Sequence, residues 1–279
     1  MTPDAERDGC HAPLDPVGTL RFALFGPHDP TGRLEGGLLA KAWQTPEGPV
    51  TLALALDVDR WRAKAWGPGA GWAITRVAGL TGGHDDRAGW PSEDDAARAL
   101  DARHRGLRLI RLPWRADALA AIVLQQRVRF SDAARSWSKL LATVGDDAPG
   151  PLRLRMLPPW RRLQAMPAGT WQRWEVDAQR ARTLHEVAWL ARALDTGSAN
   201  DVEAQVATRP GVGPWTRGMF AGHVLGDADA CIPGDVHLPR LVHAWQGDPR
   251  PPTDASMLAH LKAYAPHRFR VVRMLIAQG

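Results

Sequence analysis

The chain is 279 residues long and 44% apolar, enough to bury the core of one large domain or two small ones. Its formal net charge is +5, a modest basic excess that is compatible with nucleic-acid binding but does not demonstrate it. No apolar run approaches the roughly 18 residues of a membrane span, and the polar, acidic start lacks the layout of a signal peptide. We therefore expect a cytoplasmic protein with no membrane partner.

The N-terminal third of the chain is predicted to hold a short tail and a sheet. Residues 1–17 are polar and are expected to form a flexible tail, and residues 18–100 to form a domain of antiparallel strands plus a helix. Gly71 to Leu80 is predicted to be that helix, packed on the sheet. In the segment TLALALDVD, apolar side chains recur at every second position and share one face of a strand: Leu52, Leu54, Leu56 and Val58.

Residues 101–279 are predicted to be helical. Glycine, proline and acidic residues after about residue 84 mark the change from the sheet region. Apolar side chains at helical spacing and capping residues then predict helices within Ala116–Arg127, after Ser131, within Trp171–Leu194, within Asp201–Thr208, from Thr253 and from Pro266. The sequence as a whole predicts an α+β fold.

The segment RPGVGPWTRGMF, from Arg209 to Phe220, has the features of a tight hairpin that opens into a helix. Gly211 and Gly213 can adopt backbone angles closed to other residues, and Pro214 suits the first position of a helix. A helix lies before this hairpin and another after it, so the order helix, hairpin, helix is predicted. The free amides of Gly211, Gly213 and Thr216 would then bind a nucleic-acid phosphate, although two glycines occur in many ordinary turns between helices.

Asp235 follows in the segment IPGDVHL, 20 residues after Trp215. Taken alone, an aspartate at such a place is usually a helix N-cap. Taken with the hairpin, it resembles the conserved aspartate of the helix-hairpin-helix-GPD superfamily of base-excision DNA glycosylases. Three further segments resemble that superfamily, and most of all its DNA-3-methyladenine glycosylase II (AlkA-like) branch, over residues 18 to 276: ALAAIVLQQRV, GDADACIPGDVHLPRLV and LKAYAPHRFRVVRML.

The resemblance implies a fold and an activity. The fold would combine a small antiparallel N-terminal domain, of the kind found in TATA-binding protein, with an all-α glycosylase domain. Asp235 would be the catalytic carboxylate, stabilising positive charge on the sugar as the N-glycosidic bond breaks. Members with lyase activity have a lysine in the hairpin that forms a Schiff base with the sugar. This chain has Trp215 there, so we expect base removal that leaves an abasic site without strand cutting.

The base pocket implied by the resemblance contains Trp215, Met219, His267 and Gln126. Trp215 would stack on a flipped base, favouring a positively charged one; the alternative is that it belongs to the core. The AlkA-like branch has a tyrosine where Met219 stands and a tryptophan where His267 stands. His267 could hydrogen-bond the base or be a satisfied residue at a helix start. We expect release of 3-methyladenine or 7-methylguanine to be faster than release of hypoxanthine or 8-oxoguanine.

The resemblance also implies how DNA is held. Arg127 falls where a side chain fills the gap left by the flipped base, although it could be an ordinary solvated arginine. Main-chain carbonyls of Ala207, Arg209 and Val212 would hold a structural Na⁺ or K⁺ beside the phosphate. No cysteine follows Cys231, so the iron–sulfur cluster of some superfamily members is not expected, and no cofactor is required. The expected partner is double-stranded DNA with a damaged base, bound by a nucleoid-associated monomer.

Two other functions remain open from the sequence. The chain could be a catalytically degenerate helix-hairpin-helix protein that only binds DNA, an alternative against which the intact Asp235 argues. It could also be a glycosylase for oxidised or deaminated bases with lyase activity. The absence of lysine from the hairpin argues against lyase chemistry.

Overall fold

The computed structural model describes residues 1–278 and begins with an antiparallel sheet. Five strands form it in the order β1-β5-β4-β3-β2, and two very short strands, β6 and β7, pair separately. The strands are β1 Ala5–Cys10, β2 Gly32–Glu35, β3 Leu38–Thr45, β4 Gly48–Leu56, β5 Arg60–Trp66, β6 Asp146–Asp147 and β7 Arg155–Met156. The chain therefore has the predicted α+β architecture, with the sheet near its N-terminus.

The apolar alternation predicted for β4 holds in the middle of the strand. Leu52 and Leu54 are fully buried against the helices, as period-two spacing on one face requires. The strand ends at Leu56, and Val58 lies in the turn to β5 with 78% of its surface exposed. The predicted strand was therefore two residues too long, because Val58 belongs to the turn.

The predicted flexible tail over residues 1–17 is wrong for most of its length. Strand β1 pairs antiparallel with β5 along the edge of the sheet, from Ala5 opposite Ala65 to Cys10 opposite Arg60. Opposite charges face each other across this pair, because Arg62 contacts Asp8 at 3.2 Å and Lys64 contacts Glu6 at 3.5 Å. The acidic side chains at the start of the chain thus form ion pairs with the basic side chains of a strand about 55 residues later.

Thirteen helices follow or flank the sheet in the described residues. Their bounds are α1 Pro16–Leu20, α2 Ala70–Ile74, α3 Val77–Leu80, α4 Asp95–Arg103, α5 Arg115–Leu124, α6 Phe130–Val144, α7 Trp160–Gln164, α8 Ala178–Thr196, α9 Ala199–Ala207, α10 Pro214–Phe220, α11 Leu238–Gln246, α12 Asp254–Leu261 and α13 Arg268–Ile276. A single π-helical turn, Ala221–Leu225, continues α10. None of these helices is both long enough and apolar enough to cross a bilayer.

Several predicted helix starts shift in the structure. The helix expected over Gly71–Leu80 is divided into α2 and α3. The long helix expected from Trp171 begins only at Ala178, because the Asp177 side chain caps it. Ser131 does not cap α6, which starts one residue earlier. Thr253 does cap α12, in a reciprocal capping box with Ser256.

Two apolar cores support the molecule. The larger joins the sheet to helices α5 to α9, and the smaller joins α4 to α11, α12 and α13. Helix α4 spans the predicted domain boundary at residue 100 and packs on α13, so it belongs with the C-terminal helices. Trp215 and Met219 on α10 contact both cores. Helix α10 therefore lies at the junction of the two cores.

Candidate active site

The predicted helix-hairpin-helix is present, formed by α9, residues 208–213 and α10. Ser198 caps α9, and a backbone hydrogen bond of 3.1 Å from Val212 N to Arg209 O closes the turn. Gly211 has a φ of +82°, and a Cβ atom there would overlap the Thr183 hydroxyl of α8. Glycine is therefore required at this position both by its backbone conformation and by the close approach of α8.

The start of α10 presents free backbone amides. The first amide of this region that is bonded within the helix belongs to Arg217, which donates to Gly213 O at 3.1 Å. The amides of Trp215 and Thr216 precede it and point out of the helix start, as in any α-helix. Gly213 has an extended conformation with open space around its Cα. An anion can therefore approach these amides without meeting a side chain at position 213.

Asp235 is held by three hydrogen bonds. Its Oδ1 accepts from the backbone amides of His237 and Leu238 at 2.8 and 3.0 Å, which caps the start of α11. Its Oδ2 accepts from the indole Nε1 of Trp215 at 3.0 Å. Helix capping and a place in the site, which were alternatives from the sequence, are therefore both found. The carboxylate is fixed in position beside the start of the hairpin helix.

Two glycines bring the Asp235 loop to this position. A Cβ atom at Gly218 would overlap the carbonyl of Cys231, so only glycine lets the loop pack against α10. Gly234 has a φ of +86°, and its amide donates to Asp254 Oδ2 at 2.8 Å. The loop is thus held by α10 on one side and by the first turn of α12 on the other.

Gln126 joins the turn after α5 to the hairpin. Its Nε2 donates to Gly211 O and to Thr216 Oγ1, both at 2.9 Å. The buried Arg180 of α8 supports the same turn by donating to Leu124 O at 2.8 Å. Gln126 is therefore a positioning residue of the hairpin. No local sequence pattern indicated the role of Arg180.

Arg127 follows Gln126 at the tip of this turn. It is exposed and has a φ of +61°, a left-handed conformation that is uncommon for arginine. Such strain is often retained where a side chain must be presented in a particular direction. The structure thus places Arg127 on the surface, in the same groove as the hairpin residues, and its role in filling the gap left by a flipped base stays a prediction.

These residues surround a wide surface groove of about 1000 Å³, which we call the outer cleft. Its walls come from the turn after α5, from the hairpin and from the Asp235 loop. The predicted site residues that line it are Gln126, Arg127, Gly211, Val212, Gly213, Trp215, Thr216 and Asp235. The structure therefore brings together most of the residues selected from the sequence.

A second, smaller space lies between the sheet domain and the helices, and we call it the inner cavity. Its volume is about 190 Å³, and it shares Gln125 and Phe130 with the outer cleft. Met219 lines it, whereas Trp215 and Gln126, which were predicted for the same base pocket, line the outer cleft instead. Its aromatic lining was not predicted from the sequence and consists of Phe22, Phe25, Trp114, Phe130 and Trp137.

Three titratable side chains line the inner cavity. Lys41 of β3 donates to Asp29 Oδ2 at 3.0 Å and is buried with it. Asp117 of α5 is buried, and this burial raises its pKa to about 7. His223, on the π-helical turn, stacks on Phe22 at 4.9 Å, and burial lowers its pKa to about 3. The imidazole of His223 is therefore neutral at physiological pH.

The structure does not bring His267 to either space. This side chain is 2% exposed and lies under the segment between α3 and α4. Its Nε2 is 2.8 Å from Ala88 O, and its Nδ1 accepts from Arg270 Nε at 3.2 Å. Arg270 in turn forms a fully buried ion pair with Asp85 at 2.6 Å. His267 is therefore not placed to contact a base in either space. It lies at the start of α13 with hydrogen-bond partners for both of its ring nitrogens, which is the other role that the sequence left open.

Another cluster has the composition of a metal site but lies outside both spaces. His243, Asp248 and His260 bring one ligand atom each to within 4.8 Å of the others. Asp248 is already engaged, because Arg250 binds both of its oxygens and His260 Nε2 lies 2.7 Å from Oδ2. We interpret this cluster as a hydrogen-bonded brace between α11 and α12.

Comparisons with known proteins agree on the fold. No protein-family model matches the sequence, and no curated protein matches it either. Among solved structures, 3-methyladenine DNA-glycosylase from Archaeoglobus fulgidus is similar with a TM-score of 0.80 and 13% identity, over 98% of this chain and 97% of that one. The 8-oxoguanine glycosylase/lyase of Clostridium acetobutylicum is similar with a TM-score of 0.69 and 10% identity, over 100% of both chains.

A third similar structure covers less of the chain. The 3-methyladenine DNA glycosylase of Schizosaccharomyces pombe, solved in complex with abasic DNA, is similar with a TM-score of 0.51 and 16% identity. The match covers 65% of this chain and 90% of that one. Because all three identities are low, these similarities establish the fold. This protein has the fold of the helix-hairpin-helix DNA glycosylases, as the sequence predicted.

Proposed function

We propose that the protein is a DNA glycosylase that hydrolyses the N-glycosidic bond of a damaged, alkylated purine and leaves an abasic site. One observation carries this proposal. The Asp235 carboxylate stands in the same cleft as the free amides at the start of α10, and the Trp215 indole holds it there at 3.0 Å. A phosphate bound at those amides would bring the adjoining sugar within reach of the carboxylate.

The hairpin would bind the DNA backbone in a sequence-independent way. Amides of Gly211, Gly213 and Thr216 suit a phosphate. We also propose that the turn binds a monovalent cation, because main-chain carbonyls are hard oxygen donors, and those of Ala207, Arg209 and Val212 would hold it. A bound Na⁺ or K⁺ would supply positive charge next to the phosphate.

Arg127 would enter the duplex from the opposite wall of the outer cleft. Its exposed position and left-handed backbone direct it away from the core, and its guanidinium can stack on bases and fill the gap left by a flipped nucleotide. Gln126 would keep this turn in register with the hairpin through its two hydrogen bonds of 2.9 Å.

The chemistry would centre on Asp235. As the bond to the base breaks, positive charge develops on the sugar, and a preorganised carboxylate stabilises that charge. The hydrogen bond from Trp215 fixes Oδ2, so this tryptophan positions the carboxylate as well as offering an aromatic surface to the cleft. The leaving base would occupy the inner cavity, where Met219 and the aromatic side chains surround it.

We further propose that the reaction is hydrolysis alone. Trp215 occupies the hairpin position at which a lyase would need its lysine. The inner cavity does contain one lysine, Lys41, but its amino group is committed to Asp29 and Thr31. An ammonium held in a buried ion pair is a poor nucleophile, because Schiff-base formation requires the free amine.

A panel of duplexes, each with one modified base, tests this function. Single-turnover reactions would be scored for abasic sites by alkaline cleavage, beside samples without alkali that report strand cutting by the protein itself. We expect abasic sites from methylated purines and intact strands without alkali. DNA binding with no abasic sites from any duplex would identify a binding module instead.

The second candidate function is an oxidised-base glycosylase with lyase activity. It is favoured by one observation, the presence of Lys41 in the inner cavity. Borohydride trapping on 8-oxoguanine duplexes tests it, with Lys41→Arg as the control that keeps the positive charge but cannot form the adduct. A covalent complex with the wild-type protein that the variant lacks would establish this function.

A further inference from the structure

Among the described residues, Asp117 is the buried acid of the inner cavity that lacks a well-formed hydrogen bond. Burial raises its pKa and the facing Trp160 indole lowers it, but Trp160 Nε1 and Asp117 Oδ2 do not meet in hydrogen-bond geometry. The residue is 5% exposed and lines the cavity from α5. Its Oδ2 makes no hydrogen bond within the described part of the chain. A buried carboxyl oxygen without a donor is costly, so its retention calls for a ligand that supplies one.

The other charges of the cavity are already balanced. Asp29 is paired with Lys41, and it also accepts hydrogen bonds from Trp137 Nε1 at 2.9 Å and from Phe25 N at 2.9 Å. This pair is electrically neutral as a unit. Asp117 is the acidic group of the cavity lining that is not in an ion pair, and burial keeps it partly protonated near neutral pH.

The walls around Asp117 suit a flat ring with a positive charge. Aromatic faces attract cations, and the cavity already holds one such contact, with Lys41 Nζ 5.4 Å from the ring centre of Trp114. The volume of about 190 Å³ is sufficient for a ring system, since a cavity of about 150 Å³ in another protein holds benzene.

We propose that Asp117 is a specificity-determining residue that makes the inner cavity select a positively charged base over a neutral one. The proposal rests on the proposed function of the site. When a base cationic through N-methylation enters, the carboxyl group releases its proton to solvent, and the carboxylate pairs with the cation. A neutral base offers no such pair and leaves Asp117 protonated.

Other titratable groups face Asp117 and must be considered in any pH dependence. Lys41 and Asp29 act on Asp117 from the sheet side, in opposite directions. On the helical side, burial and then the charge of Asp117 raise the pKa of Asp195 at the end of α8. His223 lines the same cavity and stays neutral. None of these supplies a second free charge inside the cavity.

The test compares Asp117→Asn with Asp195→Asn on two duplexes. Asn is nearly isosteric with a protonated Asp and cannot become negative. Asp195 is a matched control, because it is a half-buried acid that also has a raised pKa but does not line the cavity. We expect Asp117→Asn to slow single-turnover release of 7-methylguanine about 10- to 100-fold, the scale of losing a charged hydrogen bond. Release of hypoxanthine, and both rates in Asp195→Asn, should change less than about threefold.

Wild-type protein provides an independent measurement that needs no variant to fold. The ratio of 7-methylguanine release to hypoxanthine release should rise with pH through about 7, as Asp117 ionises. A ratio that stays constant or falls would overturn the proposal, and a falling ratio would indicate that Asp117 acts as an acid toward neutral bases.

The outcomes separate this inference from the function on which it rests. Equal losses on both duplexes in Asp117→Asn, or no loss on either, would overturn the role of Asp117 while leaving the glycosylase intact. Absence of base release by the wild-type protein from every duplex would overturn both.

Discussion

The outer cleft and the inner cavity adjoin at Gln125 and Phe130, but different kinds of chemical group line them. The outer cleft is largely a backbone site. It offers the free amides of the hairpin, glycines that allow close approach, and a carboxylate fixed by two amides of α11. The inner cavity is a side-chain site, with aromatic rings and a buried polar group contributed by the sheet domain, α5, α6 and the turn after α10.

This difference corresponds to what each site would recognise. Phosphate and sugar are the same in every nucleotide, so rigid backbone groups suffice to bind them. A damaged base differs from a normal one in shape and charge, so its selection requires specific side chains. Changes to the groups of the outer cleft that would bind phosphate and sugar should therefore affect all substrates alike, and changes to side chains that would contact the base should affect substrates differently.

Asp235→Asn should have the largest effect. Removing one preorganised electrostatic group costs at least about 100-fold in rate, and we expect that loss on every base that the protein excises. The Asn side chain can still accept at Oδ1 from His237 and Leu238, so the cap on α11 and duplex binding should persist. Single-turnover excision, with thermal unfolding and duplex binding as controls, measures this. A loss confined to one class of base would contradict the division between the two sites.

Asp117→Asn should change how stability depends on pH. The folded pKa of Asp117, about 7, is higher than the ordinary aspartate value of 3.8, so the folded state holds the proton more tightly than the unfolded one. Its carboxyl therefore makes the protein less stable as pH rises from about 4 to 7. Between pH 5 and 8, the free energy of unfolding of the wild type should fall by roughly 2 kcal/mol because of this carboxyl. That of the variant should not show this fall.

Denaturant unfolding of both proteins at the two pH values measures this difference. Asp195→Asn again serves as the control. Replacing this second acid should leave the pH dependence of stability that comes from Asp117 unchanged. Identical pH dependence in the wild type and in Asp117→Asn would show that Asp117 does not titrate in this range.

Two substitutions at Trp215 separate its two roles. Trp215→Phe keeps an aromatic ring and removes the hydrogen bond to Asp235, so all bases should be released about fivefold more slowly, as for loss of about 1 kcal/mol. Trp215→Ala also removes the ring, and cationic bases should lose a further ~1 to 2 kcal/mol if the ring contacts them. Matched duplexes with 7-methylguanine and hypoxanthine measure both. An equal additional loss on the two bases would mean that Trp215 only positions the carboxylate.

Gly213→Asp should have the smallest effect and should act on DNA binding alone. The space around Gly213 is open and its backbone is extended, so the variant should fold, with its new side chain at the N-cap of α10. The added negative charge would oppose a phosphate by up to about fivefold in affinity. Gly213→Asn caps the helix equally without the charge and is the matched control. Fluorescence anisotropy with several duplexes should show the same loss for each, and a base-dependent loss would argue against phosphate binding at the hairpin.

The parts of the site that could be predicted from the sequence are those that depend on short stretches of neighbouring residues. The positive φ of Gly211, the proline at the start of α10 and the cap formed by Asp235 each depend on residues within a few positions. The outer cleft was therefore accessible from motif and spacing. The resemblance to a known superfamily supplied the roles attached to those positions.

The inner cavity could not be predicted in the same way, because its members come together only through tertiary packing. Phe22, Lys41 and Asp117 lie on different elements, and nothing near each one in sequence marks it as a neighbour of the others. The same limit explains two of the errors. Strand β1 is stabilised by a partner far along the chain, and His267 is covered by Ala88 from a distant loop.

The most direct test of the account is to identify the bases released from methylated duplex DNA by mass spectrometry, with the wild type and Asp235→Asn side by side. The account predicts that the wild type releases 3-methyladenine and 7-methylguanine, that the strands stay intact until alkali is added, and that the variant releases neither on the same time scale. Release of no methylated purine by the wild type, or equal release by both proteins, would contradict it.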